Sequence, residues 1–329
     1  APVKLDYDYT TEQLLGLLKF ADNQFARWDA AQMLFTQELR RNVAHFQQGE
    51  AFEISPDFLT ALAHVLENYE QDIELATLIL TLPKDIEFAE SLKTIDPDGI
   101  AAAREFMLVQ IAEYLKEDLL RIYTHIRLED YRVTQEDIAL RAMRNLCLSY
   151  LAYTNLGNNV VQKHYNNANN MTDTLAALNM ATKAALPCRD ALLADFEQKW
   201  QHDGLVMDKW FALQATRPDE NVLEIVQALM GHPSFNFNNP NRLRSLVGSF
   251  ANYNLKAFHH ISGSGYRFLT DVLIRLNETN PQVAARLIEP LIRFSRFDAQ
   301  RQTLMKRALE RLSAVEDLSK DLFEKIEKA

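Results

Sequence analysis

The sequence is short of the residues that turns and strands consume: 9 glycines and 10 prolines among 329 residues. A fold of many short strands needs punctuation every few positions, so a β-sandwich or barrel is excluded by supply alone. Cysteine is scarcer. Cys147 and Cys188 sit in helix-like apolar stretches with no CxxC spacing and no histidines clustered beside them. They read as two buried free thiols of a reducing compartment, not as a disulfide or zinc framework. No run approaches the ~20 apolar residues of a membrane span, and no basic-then-apolar leader opens the chain. Positive charge is also in deficit, with 35 Lys and Arg against 45 Asp and Glu for a net charge of −10. That balance repels phosphate backbones, and no basic stripe interrupts it, so nucleic acid is excluded as a partner.

Catalytic motifs are missing too. Metallopeptidase chemistry needs two histidines four apart on one helix face with a glutamate between them, hence HExxH. None of His45, His64, His125, His164, His202, His232, His259 and His260 meets that spacing. The adjacent pair His259-His260 points about 100° apart on a helix, which does not suit a shared metal. No GxSxG elbow, Walker A loop, GxGxxG fingerprint or catalytic cysteine signature occurs. Carboxylate pairs such as Glu117/Asp118 and Asp219/Glu220 fall on polar helix faces or at helix starts, where solvation and the dipole account for them.

What is present is helix. Hydrophobic residues make up 47% of the chain, enough for a sizeable core. Ser55-Pro56, Asp96-Pro97, Asn239-Pro240 and Asn280-Pro281 each set a capping side chain before a proline suited to the first helical position. Thr134 with Asp137 resembles a capping box, while Gly49, Gly157, Gly204 and Gly231 are expected to stop helices. Apolar spacing predicts one helix from Pro97 to about Leu128 and another over Trp28 to Gln48. Beyond Thr134 the helical segments become short and regular, and Pro290 is expected to kink the helical run from Val283 to Phe294. This rhythm predicts an all-α fold, an α-α superhelix of stacked antiparallel helix pairs of HEAT or armadillo type. The expected organisation is a single domain over 1–329, with a subdivision near 130 into 1–130 and 131–329 as the alternative.

Seven collinear segments carry a family resemblance. They are Ala1-Pro2-Val3-Lys4-Leu5, Phe25-Ala26-Arg27-Trp28-Asp29-Ala30-Ala31-Gln32, Asn169-Asn170-Met171-Thr172-Asp173, Leu186-Pro187-Cys188-Arg189-Asp190-Ala191-Leu192, Gly204 through Phe211, Asn239 through Leu246, and Asn280 through Pro290. Together they resemble the C-terminal helical domain of the bacterial aminopeptidase N family. The resemblance implies a larger zinc enzyme that removes N-terminal residues from peptides, with broad preference including alanine. Its HExxH and zinc are expected in a catalytic domain outside this sequence, and this chain carries no cofactor. The absence of an initiator methionine before Ala1 fits an excised section. The implied role is to cap the active site, shape substrate access and contact the downstream part of the peptide. Its implied partners are the other domains of the same polypeptide and peptide substrates, in the cytoplasm. A free-standing α-solenoid that binds protein or peptide on its concave face is the competing reading.

By the same resemblance, Arg244 and Arg286 face the substrate cavity, with Gln282 and Arg242 beside them. Arg244 and Arg286 follow Asn-Pro helix starts by about a turn, where a cation opposes the helix dipole. A guanidinium fork suits peptide carbonyls or a terminal carboxylate. The structural alternative is that the arginines pair with carboxylates such as Glu289. Lacking a ligand set, the isolated chain is expected to show no turnover of an alanine anilide and no stoichiometric zinc. One tightly bound zinc per chain by elemental analysis, or turnover surviving active-site controls, contradicts this.

Overall fold

Short polar side chains set the helix boundaries throughout the computed structural model, which describes residues 7–128 and 130–329. Ala1-Pro2-Val3-Lys4-Leu5 lies outside the described residues. All four Xaa-Pro starts hold. Ser55 accepts the Phe58 N–H at 3.3 Å ahead of Pro56–Glu67, and Asp96 accepts the Gly99 N–H at 3.0 Å ahead of Pro97–Tyr114. Asn239 and Asn280 do the same for Pro240–Leu243 and Pro281–Leu287, each removing an otherwise unpaired amide from the first turn. Thr134 accepts the Asp137 N–H at 3.1 Å where Gln135–Leu151 begins. The 25-residue helix Gln24–Gln48 ends at Gly49 in the left-handed region, φ 69°.

The protein is all-α. Among the described residues there is no strand, and the isolated bridge Ile95–Phe297 is the nearest approach to one. Two glycines behave differently from expectation. Gly157 and Gly204 open the helices Gly157–Asn167 and Gly204–Ala215 instead of ending others. The reason is steric: a Cβ at Gly157 would collide with the Ala152 carbonyl, and one at Gly204 with the Arg242 guanidinium. The long helix expected from Pro97 is also interrupted, at Leu115, so that Lys116–His125 is a separate element. The kink expected at Pro290 is a full interruption, between Pro281–Leu287 and Glu289–Ile292, since proline has no N–H to offer the carbonyl four residues back.

Contacts divide the chain into two units. The first runs up to Lys84 and resumes over Ala102–Ala177; the second comprises Asp85–Ala101 and Leu178–Ala329. In the first, Thr11–Phe20 packs on Gln24–Gln48, while Ile73–Ile79 and Lys116–His125 pack on Gln135–Leu151. Phe35 and Phe58 meet edge to face at 5.0 Å in its core. The Tyr150 hydroxyl donates to the Leu80 carbonyl at 2.6 Å. His164 is buried there with Nδ1 2.9 Å from the Tyr123 hydroxyl. Burial, reinforced by Arg144 and opposed by Asp173, pushes its pKa down to about 4.

In the second unit Gly204–Ala215 packs on the turn Arg244–Gly248, and Ser264–Thr279 packs on Ala299–Ser313. The buried Trp210 indole donates to the Leu193 carbonyl at 3.0 Å, which accounts for a rare side chain by core packing. Arg189 grips Asp219 with two hydrogen bonds of 2.8 Å, joined by Arg217 at 3.1 Å. Burial alone would raise Asp219, yet those arginines hold it below the usual carboxylate range. Arg301 is buried and donates to the His259 carbonyl at 2.6 Å, to Asp298 at 2.7 Å and to Asp98 at 2.5 Å. His259 stacks on Phe297 with centroids 4.1 Å apart, and its Nδ1 meets the Tyr266 hydroxyl at 2.9 Å. Burial, with Arg301 adding and Asp298 opposing, pushes His259 down to about 3.

Both imidazoles are therefore neutral in the fold where an unfolded chain, with an ordinary value near 6.5, would protonate them. Between pH ~6.5 and ~4 the unfolded state binds more protons, so stability falls as pH falls, each histidine contributing a slope of up to ~1.4 kcal/mol per pH unit. Urea unfolding across this range is expected to show the decline, and His259→Gln or His164→Gln each to remove one share of the slope. A pH-independent midpoint from 6.5 to 4.5 contradicts the assignment.

Candidate functional site

The candidate residues sit on two neighbouring Asn-Pro helix starts of the second unit. Asn239 accepts the Asn241 N–H at 2.9 Å, and Pro240 fixes the first turn of a helical stretch that continues to Tyr253. Within it Arg244–Gly248 adopts π-helical spacing, and the Ser249 N–H reaches back to the Arg244 carbonyl. Asn280 caps the second start by accepting the Val283 N–H at 3.3 Å. A small cleft separates the starts, floored by the buried Phe237, Leu243 and Leu276 and edged by Pro240, Thr279 and Val283. The Arg275 guanidinium lies 3.7 Å from the Phe237 ring centroid, covering that aromatic face.

The four predicted residues fall into two classes. Arg242 is buried at 8% exposure and donates to the Gly204 carbonyl and to Asp208. Ser245 donates to the same Asp208 oxygen at 3.0 Å. This guanidinium therefore locks Pro240–Leu243 to Gly204–Ala215. The glycine at 204 exists to admit it.

Arg244, Gln282 and Arg286 are exposed. Arg244 reaches only the Asn241 side-chain oxygen, at 3.4 Å. Among the described residues neither Gln282 nor Arg286 has a side-chain hydrogen bond or ion pair. Glu289, the carboxylate expected to compete for Arg286, is taken instead by Lys325. Helical spacing relates the free cations to the cleft: Arg244 lies four residues beyond Pro240 and Arg286 three beyond Val283, each about one turn along the helix from a residue that lines it. Two fork-shaped donors and a primary amide are thus carried by the helices that wall an apolar-floored depression. That set suits carbonyl or carboxylate oxygens attached to an apolar chain.

Other singled-out groups are internally occupied. Asn170 caps Met171–Lys183 by accepting the Asp173 N–H at 2.9 Å, so the asparagine run is a cap and turn. Cys147 and Cys188 are in no disulfide and are buried, and burial pushes the Cys147 thiol up to about 12. Among the described residues no group of three or more His, Cys, Asp or Glu is set to hold a metal, and no helix is long and apolar enough to cross a membrane. Sequence reasoning did not find the π turn or the Arg189–Asp219–Arg217 knot. Asp219, expected with Glu220 to be accounted for by solvation and the dipole, is instead held by two arginines, and Arg217 two residues before it was the available signal.

A family model described as a domain of unknown function (DUF3458_C) with ARM repeats matches residues 11–329. Over its full length the chain is 87% identical to aminopeptidase N of Haemophilus influenzae, 51% to that of Escherichia coli and 34% to that of Caulobacter vibrioides. It spans 38% of the length of each of those relatives. A solved structure of Legionella pneumophila aminopeptidase A in complex with aspartic acid superposes with a TM-score of 0.88 at 27% identity, covering 100% of this chain and 40% of that one.

The two arginine classes predict opposite mutational behaviour. Arg242→Ala leaves the half-buried Asp208 and the Gly204 carbonyl without their guanidinium, with Ser245 still donating to Asp208, and is expected to cost about 1 to 3 kcal/mol, below the range for breaking a fully buried pair. Arg286→Ala is expected to change stability by less than ~0.5 kcal/mol. Urea melts of the two variants check the contrast, and equal losses would refute it.

Proposed function

Because the chain belongs to the DUF3458_C family of ARM-repeat domains and is homologous to the C-terminal region of bacterial aminopeptidase N, we propose that it caps the active site of a zinc aminopeptidase. In this reading the full polypeptide removes N-terminal residues from peptides, broadly and including alanine. Its HExxH ligands and zinc lie outside this chain, in the remaining length that the relatives possess. Zinc there supplies the activated water and polarises the scissile carbonyl. The present residues bind and orient: they shape the way in and hold the peptide beyond the bond being cut. A cytoplasmic location belongs to the same reading and agrees with two cysteines that form no disulfide.

The observation that carries the proposal is the unspent hydrogen-bonding capacity of Arg286 and Gln282, with Arg244 nearly as free. A structural arginine is normally satisfied, as Arg242, Arg189 and Arg301 are in this unit. Leaving guanidiniums beside an apolar-floored cleft in a chain of net charge −10 is a local reversal of sign. It favours the carbonyl-rich, carboxylate-ended part of a peptide. Arg242 acts here only through position, by fixing the helix start that carries Arg244.

A charge-assisted hydrogen bond is worth roughly 1.5 to 3 kcal/mol, so losing one fully used contact is expected to lower kcat/KM for peptides by about 10- to 100-fold. Exposure reduces that figure toward its lower end. In the full-length enzyme Arg286→Ala is expected to impair a tetrapeptide far more than an alanine anilide, which never reaches residue 286, with the melting temperature unchanged. Equal losses on both substrates with a lowered melting temperature would assign Arg286 to the scaffold.

A further inference from the structure

Gly248 is a buried residue in the middle of a helix, where alanine is the better helix former. A glycine held against that preference marks a close approach, and the contacts are specific. A Cβ at this position would lie 3.3 Å from Arg244 Cγ and 3.4 Å from Leu287 Cδ2. The space beside the Gly248 Cα is therefore bounded by the stem of the first free arginine and by Leu287, the residue next to the second, Arg286.

The π turn strengthens the connection. It closes between the Arg244 carbonyl and the Ser249 N–H, so Arg244 and Gly248 open and close a single widened turn. Such turns recur at functional sites because they re-aim a side chain without ending the helix. Leu287 is buried and anchors Pro281–Leu287, while its neighbour Arg286 stays exposed. In a close-packed interior a shift at 248 is passed on rather than absorbed.

We infer that Gly248 is a positioning residue that sets the spacing of Arg244 and Arg286, making the two guanidiniums a clamp that grips a peptide at two points. This rests on the reading that these arginines hold the downstream part of the substrate. The ligand is a peptide long enough to offer oxygens to both forks. Adding a methyl at 248 pushes the Arg244 stem and Leu287 apart by a few tenths of an ångström, and two-point recognition suffers more from such a change than either contact alone.

The test uses the full-length enzyme carrying Gly248→Ala, Gly248→Val and the double variant Gly248→Ala/Leu287→Val, assayed on a tetrapeptide and an alanine anilide. Gly248→Ala is expected to raise the tetrapeptide KM roughly 3- to 10-fold with kcat and the anilide rate unchanged. Its melting temperature is expected to stay level or rise, since alanine favours the helix. The valine variant is expected to raise the tetrapeptide KM further, and trimming Leu287 to restore at least half of the loss. An unchanged tetrapeptide KM in both single variants, or parallel losses on both substrates with a lowered melting temperature, overturns the inference. Arg286→Ala run alongside separates the two levels. If it discriminates by substrate length while the Gly248 variants do not, only the clamp fails; if it does not discriminate, the underlying reading fails as well.

Discussion

The Arg301 guanidinium is the interaction on which the second unit is organised. It is buried, and it satisfies one backbone carbonyl and two carboxylates drawn from three places in the sequence. Asp98, at the start of a helix some two hundred residues earlier, is the most distant of them. Around it Glu90 receives hydrogen bonds from Arg293 and Arg296, and the Ile95 N–H donates to the Arg296 carbonyl at 2.7 Å. The segment Asp85–Ala101 thus belongs to a body whose remainder begins at Leu178. Arg301 is buried while both carboxylates remain partly exposed, so losing either one leaves a desolvated guanidinium short of a partner, which is why the hub constrains its neighbours. His259, whose carbonyl accepts from Arg301, stacks its ring on Phe297 and is kept neutral by burial.

Satisfied and unsatisfied arginines give that unit its functional character. Arg189, Arg217, Arg242 and Arg301 are all engaged with acidic or carbonyl oxygens inside the fold. Their pairing makes the free state of Arg286, and the near-free state of Arg244, a property of their positions and not of the residue type. The dipole argument separates the two exposed forks: Arg244 follows its helix start by about a turn, but Pro281–Leu287 is so short that Arg286 falls in its last turn, where the dipole favours a cation and the expected opposition is absent. An unpaired cation in an acidic chain attracts oxygen-bearing ligands at longer range than contact distance, so the same residues guide approach as well as hold.

Local features were legible in the sequence because local chemistry dictates them. Four Xaa-Pro starts, the Thr134 cap and the Gly49 stop each involve groups within a few residues of one another, and all appear as read, while Pro290 interrupts its run where a kink was expected. The all-α class followed from the same signals, summed. Sequence periodicity erred where a distant neighbour decided the matter. Gly157 and Gly204 looked like helix stops, yet they are needed because the Ala152 carbonyl and the Arg242 guanidinium come too close for a side chain. Arg242 read like its neighbours Arg244 and Arg286, since nothing within a turn of it announces Asp208. The π turn at Arg244–Gly248 was invisible for a related reason: no residue type demands it, and packing against Gly204–Ala215 selects it.

The burial of both thiols has a practical bearing on how the cleft can be observed. Cys147 and Cys188 are the only sulfhydryls in the chain, and neither is exposed. Burial holds both above the ordinary thiol range, so little of the reactive thiolate forms near neutrality. A maleimide probe therefore meets an almost silent background in the folded protein. A single cysteine introduced on the rim of the cleft would be the one nucleophilic sulfur in reach, and a fluorophore there would report peptide arrival without any change to the native residues at 147 and 188.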